Sequence, residues 1–555
     1  MPLPHAAHPL ALADAMPGAC PSAAACALQA VLPVLPSRAD WPLFDTATSR
    51  QIEQAALAIH PPQALMAQAG LALAKLALAV TPACRQVWIA AGPGNNGGDG
   101  LVAGRLLHQQ GWSVRISLVG APDQRPADAA WALQQAQQAG VTIETGLAGP
   151  APGTGLCIDA LLGLGNRRAP QGAIAQAVRL LNASAVPVLA VDLPTGLCGD
   201  TGRRLGDDVV SAAHTLALLT LKPGLFTGQG RDQSGQVWLA GLGVDLSATT
   251  ASALLQGQFL LRQWLPARQH AQHKGSFGDV LVIAGAPGMG GAASLAARAA
   301  LAAGAGRVYL ARLDGDPQPD ALRPELMPRN LAQALQPALL AGATVVCGCG
   351  GGAAVAAVLP AVLAHAARLV LDADALNAVA TDPALLRALL DRAARGQPSV
   401  LTPHPLEAAR LLACTTAEVQ ADRLAAARAL AQRCRATLLL KGSGTVVVAP
   451  GGRPSINPTG NARLGSAGSG DVLAGWLGGL WSQTFAAGAG DAQGLNAARA
   501  AAWLHGRAAE AGDTRLALPA GDLIEAMQSA LPPAAAGLGA AGFGTLALLV
   551  RGRSA

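Results

Sequence analysis

Residues 86–119 read QVWIAAGPGNNGGDGLVAGRLLHQQGWSVRISLV, and the order of their parts decides the fold class. Residues 86–91 predict a buried strand, 92–100 a glycine-rich turn, 101–110 a helix and 113–119 the next strand. A strand, a tight turn and a helix leading to a parallel strand form the βαβ unit of a three-layer αβα, Rossmann-like domain. Gly92, Gly94 and Gly97 stand in the spacing of a dinucleotide fingerprint. Glycines there let the backbone approach a phosphate, and the helix start offers free N–H groups and the positive end of its dipole. Two features separate this turn from an ordinary dehydrogenase site. The second strand ends Leu118-Val119-Gly120-Ala121, with no acid to hold a ribose diol. The turn also carries Asn95, Asn96 and Asp99, more polar side chains than phosphate binding uses.

The same grammar recurs along the chain. Short Val/Ile/Leu runs, each followed by a glycine-rich turn and an alanine-rich helical segment, fill 41–247 and again 258–535. Two α/β domains follow, each a mostly parallel sheet with helices on both faces. The length of 555 residues agrees, being too great for one ordinary domain. Residues 248–257 are expected to be a linker, 1–40 a disordered extension without the basic start of a signal peptide, and 536–555 a tail.

Composition narrows the classes. Hydrophobic residues make up 51% of the chain and charged residues 13%, enough apolar surface for two cores. The apolar stretch near 353–371 is broken by Pro360, His365 and Arg368, so no membrane partner is expected. The net charge of +6 is scattered as single Arg and Lys without interleaved aromatics, which argues against a nucleic-acid surface. Nine dispersed cysteines without a CxxC pair fit reduced thiols in a cytoplasmic protein.

Two further strand ends in the front domain carry carboxylates. Residues 156–162 contain Asp159 and run into Gly163-Leu164-Gly165, and 188–192 end in Asp192 before Leu193-Pro194-Thr195-Gly196. Ligands of doubly wound sheets sit outside the carboxyl ends of the strands, so Asn96, Asp159 and Asp192 are expected to converge there. Any one of these aspartates alone reads more simply as a helix cap. Together they resemble the NAD(P)H-hydrate epimerase family over roughly 45–245. The resemblance rests on GPGNNGGDG at 92–100, D-x-x-x-G at 159–163 and DLPTG at 192–196. Leu65-Met66, Ala69-Gly70 and Lys222-Pro223-Gly224 extend it, while Ala67-Gln68 depart from the family. It implies a potassium ion held by Asn96, Asp159 and Thr195. It also implies substrate contacts at Asn95, Asn96, Gly97, Gly98, Asp99 and Asp192, and along the loop Gly163, Leu164, Gly165, Asn166, Arg167, Arg168 and Ala169. Inverting C6 of a hydrated nicotinamide ring needs a base at that carbon or its hydroxyl. Asp192 is the candidate acid/base and Lys222 its accessory.

In the rear domain, His273-Lys274-Gly275-Ser276-Phe277-Gly278 precedes a strand at 280–283 and the turn Gly285-Ala286-Pro287-Gly288-Met289-Gly290-Gly291-Ala292. That turn has no Lys-Ser/Thr and is no Walker A loop. The stretch running from Asn457-Pro458-Thr459-Gly460-Asn461 to Gly468-Ser469-Gly470-Asp471 is the informative one. Free N–H groups at a helix start there would hold a transferring phosphoryl group, and Asp471 in the first turn would take a proton from the attacking hydroxyl. A flexible loop with an acid favoured by the helix dipole is the plainer alternative.

The set looks like the ribokinase-like superfamily, and more narrowly like the ADP/ATP-dependent NAD(P)H-hydrate dehydratases. Six ordered motifs over about 273–480 carry this: HKGSFG, the Gly285–Ala292 turn, LDADALN, TPHPLE, KGSGT and GSGD. Cys349 is a departure within an otherwise glycine-rich cluster. The resemblance implies substrate contacts at Ala292, Gly352, His404 and Asp471. It implies nucleotide contacts at Lys441, Gly442, Ser443, Gly444, Thr445 and Gly470. The expected reactants are hydrated NADH and NADPH with ADP, or ATP in its place, and Mg2+ accompanies the nucleotide. A homo-oligomer is expected. Two alternatives remain at this stage, a vitamin or sugar kinase of the same superfamily and a non-catalytic front module.

Overall fold

The computed structural model describes residues 30–120, 125–165, 167–258, 268–315, 317–486 and 494–531. Asn166, residues 1–29 and the expected tail lie outside the described residues.

Gln86–Ala91 is the strand its pattern predicts, buried from Val87 onward. It sits inside an eight-stranded sheet, with parallel neighbours Ser113–Leu118 on one side and Leu156–Ala160 on the other. Thr142–Thr145 lies beyond the first neighbour. Val188–Val191, His214–Leu218 and Gln236–Ala240 follow in parallel beyond the second. The chain winds outward one way and then returns to wind the other. The crevice at this reversal opens between the carboxyl ends of Gln86–Ala91 and Leu156–Ala160.

Helix Asn95–Gln109 begins earlier than its apolar residues suggest, so the expected turn at 92–100 ends at Gly94. Close packing is the reason. A Cβ on Gly97 would lie 2.1 Å from the Gly92 carbonyl oxygen, and one on Gly100 2.6 Å from the Ala160 Cβ. The glycines lay the helix start directly on the sheet and aim its free N–H groups at the crevice.

The rear sheet has eleven strands and the same winding. Asp279–Ala284 has Arg307–Arg312 and then Met327–Pro328 on one side. Thr344–Cys347, Arg368–Leu371, Ser399–Leu401 and Thr437–Leu440 continue in parallel on the other. Val446–Val448 and Ser455–Ile456 close that flank as antiparallel strands. Helix Ser469–Ala486 presses on helix Gly290–Ala302, where Cβ atoms on Gly475 and Gly479 would fall 2.0 and 2.4 Å from the carbonyl oxygens of Ala296 and Ala300. The small residues of this stretch are thus packing devices, and the buried Trp476 and Trp481 fill the space around them.

Three expected boundaries differ. Within the supposed extension, Val31–Pro33 forms an edge strand antiparallel to Gln236–Ala240. Trp41–Leu43, expected to open the front domain, pairs instead with Ala253–Leu255, which lies in the supposed linker and joins the rear sheet beside Ser455–Ile456. Three-residue strands are too short to show a period, yet they cover sheet edges that would otherwise stay unpaired. No single helix among the described residues is long and apolar enough to cross a membrane.

Candidate functional site

The front crevice holds a cavity of about 330 Å3 lined by Asn95, Asn96, Asp99, residues 161–165 and Asp192. Gly163 is where the side chains meet: a Cβ there would lie 2.9 Å from the Asn96 Oδ1 and 3.2 Å from the Asp192 Oδ2. Asp192 holds a left-handed backbone conformation (φ +66°) that turns its carboxylate back over the strand ends. Its Oδ1 accepts from the buried Lys222 ammonium and from the Leu218 N–H at 3.2 Å. Lys222 also donates to the Leu218 carbonyl at 2.9 Å, so both members of this buried pair are hydrogen-bonded.

Asp159 is buried beneath the same turns. Its carboxylate accepts from the Thr195 N–H and hydroxyl, each at 2.8 Å, and from the Leu161 N–H at 3.2 Å. Burial nevertheless pushes it up to about 6, against those hydrogen bonds. The Leu162 N–H donates to the Thr195 hydroxyl at 3.1 Å, while the Asn96 Nδ2 is buried without a partner. Asn96, Asp159 and Thr195 therefore frame residues 161–163 with oxygen donors, a set suited to a hard cation.

Other expected contacts fall elsewhere. Gly97 faces the Gly92 backbone and Gly98 faces Met66 and Ala129, so both serve packing and neither lines the cavity. Arg167 and Arg168 are exposed, and with Ala169 they lie outside its lining. The sequence reading missed Arg50 and Glu53, which reach the cavity from helix Thr46–Ile59, and Asp128. Arg50 donates to the Leu164 carbonyl at 3.0 Å. Burial and then the Asp192 charge raise the Glu53 carboxyl, and the same causes raise Asp99 well above the usual range. The Arg50 and Glu53 spacing on an amphipathic helix was the available signal.

In the rear site, Asp471 stands in the first turn of helix Ser469–Ala486. The Cys349 Sγ and carboxylate oxygens of Asp372 and Asp471 lie within 4.8 Å of one another. Burial and then the Asp372 charge push Asp471 up to about 6. Asp372 accepts from the Thr402 hydroxyl at 2.8 Å and the Lys441 ammonium at 2.7 Å. Lys441, expected as a nucleotide contact, has its ammonium over the helix start, 3.3 Å from where a Gly470 Cβ would stand. Burial opposes its charge, but Asp372 and Glu407 hold its pKa above the ordinary value.

Ala292 lies in the first turn of helix Gly290–Ala302 and Gly352 beyond strand Thr344–Cys347: Gly350 packs on the Ala292 Cβ, and Gly352 packs on Met289 and Ala286. His404 caps helix Pro405–Leu412, its Nδ1 accepting from the Leu406 and Glu407 N–H groups. Its pKa is lowered by burial and then by Lys441.

The expected nucleotide loop 441–445 is partly claimed by the front domain. The Ser443 hydroxyl donates to the Gly228 carbonyl at 2.8 Å, and the Gly228 N–H donates to the Ser443 carbonyl at 3.1 Å. Gly444 (φ +63°) leaves no room for a Cβ, which would lie 2.2 Å from the Phe226 carbonyl oxygen. Gly442 packs on the buried Arg423, whose guanidinium donates to the Leu440 and Lys441 carbonyls, and Thr445 caps Gly442. Ser443 and Gly444 are thus seam residues, while Lys441 lies against Gly470 at the helix start.

Comparison with known proteins agrees with this division. A family model described as NAD(P)H-hydrate dehydratase matches residues 280–529, and one described as YjeF-related protein N-terminus matches 62–224. A bifunctional NAD(P)H-hydrate repair enzyme of Escherichia coli is 36% identical over 478 residues, covering 84% of this chain and 89% of its own length. Its counterpart in Moorella thermoacetica is 38% identical over 475 residues, covering 80% and 86%. That of Gloeobacter violaceus is 40% identical over 463 residues, covering 80% and 89%. These matches span both sheets and both crevices, and the chain belongs to the bifunctional NAD(P)H-hydrate repair enzymes, with an epimerase domain in front of a dehydratase domain.

Proposed function

We propose that the front crevice interconverts the R and S C6 hydrates of NADH and NADPH at Asp192, and that the rear crevice dehydrates the S form at Asp471 at the expense of ADP. The observation that carries this reading is the placement of each aspartate at the carboxyl edge of its own doubly wound sheet, among groups that control its charge.

In the front site Asp192 takes the proton of the C6 hydroxyl, and the Lys222 ammonium stays with the carboxylate throughout. The bond from C6 to the ring nitrogen breaks to leave an aldehyde, and its electron pair stays on the nitrogen, which takes the proton from Asp192. Rotation exposes the other face of the aldehyde, and as the nitrogen adds back, its proton returns through Asp192 to the oxygen. Potassium belongs to this reading. Asn96, Asp159 and Thr195 would hold it, and a cation would return the buried Asp159 to its charged form. Its contribution is to orient the 161–163 turn and the substrate's phosphates.

In the rear site Asp471 takes the proton of the same hydroxyl in the S hydrate, while the helix start stabilises the phosphoryl group arriving from ADP. Phosphate then leaves C6, the C5 proton is lost, and the dihydropyridine is restored. Phosphate is a far better leaving group than hydroxide, so a kinase fold can carry out a dehydration. Magnesium would enter with the nucleotide phosphates. A reducing cytoplasm suits the buried free thiols of Cys347 and Cys349 at this site.

The test is to incubate the protein with S-NADH hydrate and ADP. Dihydropyridine absorbance is expected to return with one AMP and one phosphate per NADH, and with no recovery when nucleotide is omitted. Phosphorylation of a vitamin precursor without any NADH recovery would contradict the reading.

A further inference from the structure

Arg125 takes no part in the chemistry above. It follows strand Ser113–Leu118, and its Nη1 donates to the Gly92 carbonyl at 2.7 Å. Gly120 braces the same corner, where a Cβ would touch the Pro93 ring at 3.4 Å. The end of the second strand is thus drawn onto the glycine-rich turn, and the guanidinium is fixed at its first glycine. The Nε and Nη2 of Arg125 are buried and bond nothing. No carboxylate among the described residues pairs with it, and burial alone lowers its pKa.

A half-buried arginine with two buried, unmatched guanidinium nitrogens calls for an explanation. Its planar fork of donors fits a phosphate better than any other biological anion except carboxylate. Position points the same way. Asp192 and Lys222 lie on one side of Gln86–Ala91, and Arg125 follows the strand on the other. A dinucleotide bound to a doubly wound sheet spans the reversal point, with phosphates at the helix start and one ribose at the end of the second strand. The strand end itself, Leu118-Val119-Gly120-Ala121, carries no acid, and both Asp123 and Arg125 follow it in the chain.

We propose that Arg125 binds a phosphate of the hydrated dinucleotide, either the 2′-phosphate of the adenosine ribose or the pyrophosphate, and anchors the end of the substrate remote from Asp192. The proposal rests on the front site being the epimerase.

Steady-state interconversion of the R and S forms, resolved chromatographically, is measured for NADH hydrate and NADPH hydrate in wild type, R125Q and R125K. Wild-type protein that interconverts neither hydrate overturns both the epimerase reading and this proposal. R125Q is expected to raise KM at least tenfold with kcat within twofold. A rise confined to NADPH hydrate identifies the 2′-phosphate, and an equal rise for both identifies the pyrophosphate. R125K, which keeps the charge without the fork, is expected to recover part of the affinity. Unchanged KM for both hydrates, or a loss confined to kcat, overturns the proposal. Should R125Q fail to fold, as judged by its melting transition, R125K decides by the same split between KM and kcat.

Discussion

The front and rear sites each place an aspartate at the carboxyl edge of a doubly wound sheet, yet they give it opposite neighbours. Asp192 is sealed to Lys222 and to a backbone N–H. Asp471 has the Cys349 thiol and a second carboxylate, Asp372, as its neighbours, while the nearby Lys441 is engaged by Asp372. The first arrangement keeps a carboxylate beside a fixed cation, which suits a proton lent and returned at the same site. The second leaves a carboxyl near 6, poised to accept a hydroxyl proton during a one-way phosphoryl transfer. On the proposed reading, one fold plan supports a reversible and an irreversible step through different electrostatic surroundings.

That contrast can be broken by substitution. D471N is expected to lower ADP-dependent dehydration of the S hydrate by about 10²–10⁴-fold, the usual weight of a positioned base. Interconversion of R and S by D471N should match wild type, and a parallel loss of both activities would erase the distinction. The pH dependence of the rear site sharpens it next. On the proposed reading Asp471, whose carboxyl is raised to about 6, works as the base, so its active form is lost as pH falls through that value. Dehydratase kcat/KM is expected to fall about tenfold per unit of pH below it. A flat profile down to pH 5 would deny Asp471 this role.

G163A probes the front site alone. The added methyl would stand 2.9 Å from the Asn96 Oδ1 and 3.2 Å from the Asp192 Oδ2. Epimerisation should fall about tenfold from the misplaced carboxylate, with dehydration intact. The smallest effect is expected at the seam. S443A removes one hydrogen bond to Gly228, worth about 0.5–1.5 kcal/mol, which a denaturation midpoint can read. A loss several times larger would mean that the seam couples the two domains strongly.

The sequence made the strand ends legible and left the side walls dark. Asn96, Asp159, Asp192 and Thr195 meet because βαβ winding brings successive carboxyl ends to one crevice, a consequence of topology that spacing alone conveys. Glu53 and Arg50 were missed because charged residues on an amphipathic helix look like its solvated face. The ion pair of Lys441 with Asp372 was not legible, since it joins two strand ends that are distant in sequence. Ser443 and Gly444 carried a resemblance to a nucleotide loop, whereas their hydrogen bonds and close packing go to residues 226–228, a contact between domains that no local pattern encodes. The edge strands Val31–Pro33, Trp41–Leu43 and Ala253–Leu255 are too short for any period to reveal.

The central claim is that two separate sites act in sequence within one chain, and a mixing experiment tests it most directly. R-NADH hydrate and ADP are supplied to D192N, to D471N and to an equal mixture of the two, and NADH recovery is followed. The account predicts that D192N recovers NADH only at the rate of spontaneous epimerisation, that D471N interconverts the hydrates without recovering any, and that the mixture restores efficient recovery. Rapid NADH formation from the R hydrate by D192N alone would contradict it.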